Sequence, residues 1–304
     1  MNFNMDVYKF ENYDFENISN FQQKKFYLKK IPLFAGMFFK RKITRQNIRT
    51  KKFVDKSYNQ SAWKTMLQTK AWEKSNSLYD YYYEINENQS TERDDFKNII
   101  LMNNKLQKIS PKDLTKAKIE LLTGFIKKYV ENNDEIIEIG CGPGSNLFGL
   151  LLHNIQNKMH GYDISINSIT TAQEINKRFN SNIKFDVLDM TEKLSSINLK
   201  NKVVFSNQAF EQIKYDTANV INDLINSGVS QVMHFEPLSE LYGINVRDVC
   251  SSFYIKARDY QDNLLKTLKN FEDKGRLKIL QNIRLGYGAN PVHELSFTRW
   301  MPTN

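Results

Sequence analysis

From about residue 112 onward, short apolar runs alternate with helix-like stretches, and no other feature of the chain constrains its fold as strongly. The runs are EIIEIG (135–140), KMHGYD (158–163), NIKFDVLD (182–189), KVVFS (202–206) and SQVMHFEP (230–237). Between and before them the pattern predicts helices over about 112–131, 145–156, 165–179 and 208–226, with Ser110-Pro111 opening the first. Strands joined in this way form a parallel sheet, with a ligand site at their carboxyl ends. After Pro237 a loop and a long helix, about 250–273, lead to LKILQNIRLGYG and HELSFTRWMP. The turn-rich GANPV between these two segments makes them a terminal hairpin.

The first 110 residues lack this alternation and are expected to form a mainly helical cap on a domain spanning 111–304. The net charge of +9 comes from residues 1–133, which hold 25 Lys or Arg against 15 acids, whereas residues 134–304 hold 18 against 19. Residues 24–56 alone hold twelve Lys or Arg against one acid, interleaved with Phe26, Tyr27, Phe34, Phe38, Phe39 and Phe53. Such a segment suits RNA, a membrane surface or an anionic substrate, and equally a solvated helical face. With 40% hydrophobic residues the chain is globular. The longest apolar run, IPLFAGMFF (31–39), is too short for a bilayer span, which needs about 20 residues. The amino terminus has acids where a secretion signal would have a basic start. Cys141 and Cys250 lie in no paired motif, so neither a disulfide framework nor a metal site is expected, and a cytoplasmic setting fits best.

EIIEIGCGPGSN (135–146) runs from a strand into a glycine turn. Gly140, Gly142 and Gly144 let the backbone turn sharply and approach a ligand, and the next helix points its free amides at the same place. A tight strand-to-helix turn alone would account for the glycines. Three acids narrow the reading. Glu138 precedes the turn, Asp163 ends the second strand where a carboxylate can accept from both ribose hydroxyls, and Asp189 ends the third where it can accept from a purine amine. The absence of a GK[ST] triplet argues against a triphosphate, and the early third glycine against a dinucleotide.

On these residues the stretch from about 112 to 302 resembles a class I S-adenosylmethionine-dependent methyltransferase. The resemblance implies an α/β fold with a Rossmann-like, seven-stranded mixed sheet and an antiparallel terminal strand. It implies that Glu138, Gly140, Gly142 and Gly144 flank the methionine part of S-adenosylmethionine, that Asp163 binds the ribose, and that Asp189 approaches an adenine sandwiched by Ile164 and Met190. FSNQAFEQI (205–213) is similar to the strand-four motif of small-molecule members, which adds Asn207 to the cofactor residues.

A methyl acceptor needs alignment and, when it is an oxygen, a base. The ends of strands four and five offer Asn207, Gln208, Glu211, His234 and Glu236. His234 suits a base by its ordinary pKa, with a satisfied histidine in a buried strand as the alternative. Glu211 and Glu236 are further catalytic candidates, and His293 and Cys141 are read as structural. Tyr79, Tyr81, Tyr82 and Tyr83 either close over the acceptor or pack the cap against the sheet. The expected activity is methylation of a small or medium-sized metabolite, most readily at oxygen, with a sugar or other natural-product-like acceptor, which the basic cap allows to be anionic. An RNA methyltransferase, a non-catalytic cofactor-binding or assembly protein, and a homo-oligomer stay open.

Overall fold

The computed structural model describes residues 13, 15–45, 47–85, 99–192 and 194–303. The polar part of the loop expected over 80–95 lies largely outside the described residues. The amino-terminal part begins with β1 (Glu16–Asn17) and α1 (Asn20–Thr44), which is capped by Ser19 and packs along α9. Then come α2 (Lys51–Val54), a π-helical segment (Asp55–Trp63), α3 (Lys64–Thr69), α4 (Leu78–Asp80), β2 (Ile99–Met102) and β3 (Lys105–Lys108). Besides the expected helices, this part therefore holds a small antiparallel sheet of order β1-β3-β2. Reciprocal hydrogen bonds between Leu101 and Gly288, at 3.0 and 2.9 Å, stitch that sheet to the carboxyl-terminal hairpin.

The alternating pattern forms α5 (Pro111–Tyr129), β4 (Glu135–Ile139), α6 (Ser145–Leu152), β5 (Lys158–Asp163), α7 (Ile166–Phe179), β6 (Lys184–Val187) and β7 (Val203–Asn207). It continues with α8 (Thr217–Asn226), β8 (Gln231–Glu236), α9 (Val246–Arg258), α10 (Leu264–Asp273), β9 (Leu277–Tyr287) and β10 (Leu295–Pro302). The seven-stranded sheet has the order β6-β5-β4-β7-β8-β10-β9, parallel through β8 and antiparallel at β10 and β9. Only β10 is reversed, β9 running in the direction of β8, so the Rossmann-like α/β fold with one antiparallel terminal strand is the one the sequence predicts.

Strand parity assigns the two faces. Ile136, Phe205, Met233 and Phe297 pack toward α5, α6 and α7, whereas Ile137, Val204, Val232 and Trp300 pack toward α8 and α10. Side chains alternate along a strand, so His234 shares the α8/α10 face with Val232.

Two helix expectations are corrected. The segment 208–226 is a 3₁₀ turn, Phe210–Gln212, followed by α8, because the amides of Ala209, Phe210 and Glu211 turn onto the buried Glu236 carboxylate at 3.0, 3.1 and 3.3 Å. The long helix over 250–273 is broken into α9 and α10 at Asp259, which adopts a left-handed φ of 55°. Its carboxylate, 0% exposed, takes an ion pair from Arg41 at 2.8 Å and the amide of Ile48 at 3.1 Å. This break turns Tyr260 toward the site.

Candidate active site

A cavity of about 1010 Å³ opens at the carboxyl ends of β4, β5 and β7. Gly140, Gly142, Asp163, Ile164, Asp189, Met190, Asn207 and Glu211 all line it, from four separate segments of the predicted pattern. Gly140 has a φ of +77°, and a Cβ there would lie 2.3 Å from that of Ala209. At Gly144, φ is +80° and a Cβ would sit 2.6 Å from the Phe185 ring. Gly144 starts α6 and shapes the turn from behind instead of lining the cavity.

The turn is held by Asp163. One carboxylate oxygen accepts from the Gly142 amide at 2.9 Å, and the other accepts from the Ser165 amide at 2.8 Å and the Ser168 hydroxyl at 3.2 Å. Burial raises its pKa against these three hydrogen bonds. Burial also works to raise Asp189, but the Lys51 ammonium at 2.9 Å and two hydrogen bonds from Thr191 hold it below the ordinary carboxylate range.

Glu138 lies beneath the cavity, fully buried, and does not line it. Burial lifts its carboxyl to about 8, opposed by a hydrogen bond from Asn146 and by the charge of Lys118. Asn146 Nδ2 donates to Glu138 at 2.5 Å, and Asn207 donates to Asn146 at 3.4 Å, so one polar row links β4, α6 and β7. Glu138 Oε2 and Asn207 Oδ1 have no hydrogen-bond partner among the described residues. Lys118, on α5, faces the same cavity, and burial lowers its pKa against the pull of Glu138. It has no ion-pair partner among the described residues. A cation, a carboxylate and an amide oxygen lacking partners together form a donor set that fits the zwitterionic end of an amino acid.

Two proposed catalytic residues are corrected. His234 is 1% exposed, with Nδ1 2.9 Å from the Ser206 hydroxyl and Nε2 accepting from the Trp300 indole at 3.1 Å. Burial depresses its pKa to about 3, so it is a satisfied core histidine and not a base. Glu236 accepts from Ser206 at 2.8 Å as well as from the three turn amides, and is equally closed off at 1% exposure. Burial, reinforced by Glu211, raises its carboxyl to about 8 against those donors. Of the two readings of the tyrosines, packing is the one found for Tyr81, Tyr82 and Tyr83. Tyr81, Tyr82 and Tyr83 are buried in the core beside α6, where Tyr83 bonds His153 at 2.8 Å, and Tyr79 is exposed. Cys141 lines the cavity, and burial pushes its thiol well up.

The amino-terminal wall is made instead by residues 49–63. Asn59 accepts from Ser165 Oγ at 2.7 Å and from the Asn167 amide at 3.1 Å, fastening the π-helical segment to the start of α7. Trp63 lies against Gly142, and Tyr58 stacks on Trp63 at 6.3 Å. Arg49 donates to Gln212 at 2.7 Å and to the Arg258 carbonyl at 3.0 Å, and its guanidinium lies 4.1 Å over the Tyr260 ring. Tyr260 in turn stacks on His293 at 4.9 Å. His293 Nε2 is 3.0 Å from Glu211 Oε2, and both residues line the cavity. Sequence reading passed over Lys118, Arg49, Tyr58 and the role of His293. Lys118 did leave a signal, a lone cation four residues after Leu114 on the inward stripe of α5.

A parallel sheet with one reversed strand, β10, a glycine turn at its centre and acids at three strand ends repeat the pattern on which the sequence resembles a class I methyltransferase. Residues 130–270 match the family described as a methyltransferase domain, in agreement with the S-adenosylmethionine-dependent class that the sequence resembles. Among solved structures it is similar to the magnesium protoporphyrin IX methyltransferase of Synechocystis PCC 6803 with bound S-adenosylhomocysteine. Identity there is 13%, coverage is 64% of this chain and 87% of that one, and the TM-score is 0.48. It is also similar to a geranyl diphosphate methyltransferase in complex with S-adenosylmethionine, at 10% identity, 64% and 88% coverage and a TM-score of 0.48. The regulatory protein RecX of Finegoldia magna is 27% identical over 157 residues, 48% of this chain and 73% of that protein. None of the three carries an acceptor over to this chain.

Proposed function

We propose that the protein methylates an oxygen of a small or medium-sized, hydroxyl-rich metabolite such as a sugar. The Glu211–His293 pair, facing the same cavity as Asp163 and Asp189, carries this reading. Bound S-adenosylmethionine supplies an electrophilic methyl group. Asp163 would hold its ribose, Asp189 with Ile164 and Met190 its adenine, and Lys118, Asn207 and the Glu138–Asn146 row its amino-acid end.

His293 then takes the acceptor proton. Glu211, with Oε2 3.0 Å from Nε2, stabilises the imidazolium that forms, leaving Nδ1 to receive the proton. Tyr260, stacked on the ring and itself held by Arg49, keeps the imidazole in plane. Gln208, Gln212, Tyr58 and Asn290 add hydrogen-bonding groups to the lining, which suits several hydroxyls, and Arg49 and Lys52 suit an anionic substituent. Ligand pockets commonly measure about 300–1,000 Å³, so the cavity has room for cofactor and acceptor together.

The test is turnover of S-adenosylmethionine to S-adenosylhomocysteine with a panel of sugars, sugar nucleotides, simple amines and RNA, with the product located by mass spectrometry. Methylation of a hydroxyl, lost in His293→Ala, is the expected result. Methylation confined to nitrogen or to RNA, or no turnover by protein that binds the cofactor, would sink the proposal.

A further inference from the structure

Helix α1 carries apolar side chains on two opposite faces. Tyr27 and Phe34 are buried on the face that packs along α9, where Arg41 pairs with Asp259. On the outer face Phe21, Leu28, Phe39 and Ile43 are 76%, 48%, 56% and 81% exposed. At 3.6 residues per turn these four fall within an arc of roughly 60°. Exposed Pro32 and Gly36 lie between them, so the stripe runs nearly the length of the helix. Lys24 and Lys42 border it on one side and Lys25, Lys29 and Lys40 on the other, all exposed. The helix contains no acid.

The chemistry of the stripe selects its partner. RNA would pair with the lysines but leave Leu28 and Ile43 in water, since aliphatic side chains give bases no stacking platform. A second copy of α1 would cover the stripe while bringing two sets of lysines together with no acid between them. An anionic bilayer receives both groups: the apolar side chains enter the headgroup–acyl boundary, and the lysines reach back to phosphate. No helix among the described residues is long and apolar enough to cross a membrane, so the helix would lie in the interface plane. We propose that α1 docks this protein on an anionic phospholipid surface through Phe21, Leu28, Phe39 and Ile43, flanked by its lysines. The chain runs from the end of α1 into Arg49 and Lys51 of the cavity wall, which links the docked helix to the active site.

The experiment is vesicle flotation of the full chain with phosphatidylcholine alone and with an equal mixture of phosphatidylcholine and phosphatidylglycerol. The expected result is enrichment on the mixed vesicles. It should fall about tenfold or more in Phe39→Ser/Ile43→Ser, and several-fold in Lys25→Gln/Lys29→Gln, the latter most clearly at low salt. These side chains are exposed, so the melting temperature and S-adenosylmethionine affinity of each variant should stay at the wild-type value. No preference for anionic vesicles would overturn the proposal, as would flotation unaffected by Phe39→Ser/Ile43→Ser. So would RNA binding that displaces vesicles and is blind to that substitution, or a solution dimer by light scattering that the substitution abolishes.

Discussion

Glu211 Oε2 lies 3.0 Å from His293 Nε2, bringing the turn after β7 against the loop that joins β9 to β10. Both residues face the cavity whose other end is built by the glycine turn and Asp163. The pair depends on two departures from regular structure. Glu236 pulls three amides into the turn that carries Glu211, and the Leu101–Gly288 bridge steadies the loop that carries His293.

Replacing His293 by Gln removes the proton acceptor while keeping a polar side chain in the cavity. The expected kcat falls by about 10²–10⁴, the usual contribution of a positioned base, with S-adenosylmethionine affinity unchanged. Glu211→Gln should lower kcat less, because the imidazole stays and only its orientation and charge support weaken. Steady-state kinetics together with cofactor titration measure both, and a His293→Gln enzyme with full kcat would remove the residue from the mechanism.

Lys118 predicts a cofactor effect with no effect on folding. It lines the cavity without an ion-pair partner among the described residues, and burial already disfavours its charge. Lys118→Met keeps the stem and removes the charge, so stability should hold or rise slightly. A charged hydrogen bond contributes about 1.5–3 kcal/mol, which corresponds to an affinity for S-adenosylmethionine lower by roughly ten- to a hundredfold. Titration calorimetry alongside a melting curve reads both quantities, and unchanged affinity would place the amino-acid end of the cofactor elsewhere.

Gly140→Ala should cost stability in two separable ways. The φ of +77° strains any other residue, and the new Cβ would meet Ala209 at 2.3 Å. Each effect is worth about 1–3 kcal/mol. Adding Ala209→Gly to Gly140→Ala should restore the steric share and leave the backbone share. Urea unfolding of the single and double variants distinguishes them, and a double variant as unstable as the single one would mean that Ala209 is not the obstacle.

The sheet was legible in the sequence because its strands are bounded by glycines, acids and capped helices, all local signals. The end of the cavity proposed for the cofactor was legible for the same reason, since Gly140, Asp163 and Asp189 each sit at a strand end that periodicity locates. The acceptor end was not. His293 reaches the cavity only because the terminal hairpin folds back beside β8, and Arg49 only because Asp259 holds the chain after α1 in place. The misassigned base shows the limit most clearly. Strand-end position and an ordinary pKa near neutrality favoured His234, but parity along β8 turns it toward α8 and α10, away from the cavity.

His234 therefore bears on stability in acid instead of on catalysis. Its ordinary pKa is near 6.5, whereas burial against Trp300, Ser206 and Phe210 depresses it to about 3 in the folded protein. Below about pH 6.5 the unfolded chain takes a proton at this position that the folded protein refuses, so the contribution of His234 to stability falls as pH drops toward 3. The loss is about 1.4 kcal/mol for each pH unit in that window. His234→Phe removes this dependence, but it leaves the Trp300 indole without its acceptor, while the Ser206 hydroxyl keeps Glu236, at a cost of about 1–3 kcal/mol near neutrality. The wild type should thus be the more stable at pH 7.5, and the gap should narrow or reverse by pH 5. Unfolding curves for both proteins at the two pH values decide the matter, and parallel losses on acidification would show that His234 accepts a proton in the folded state.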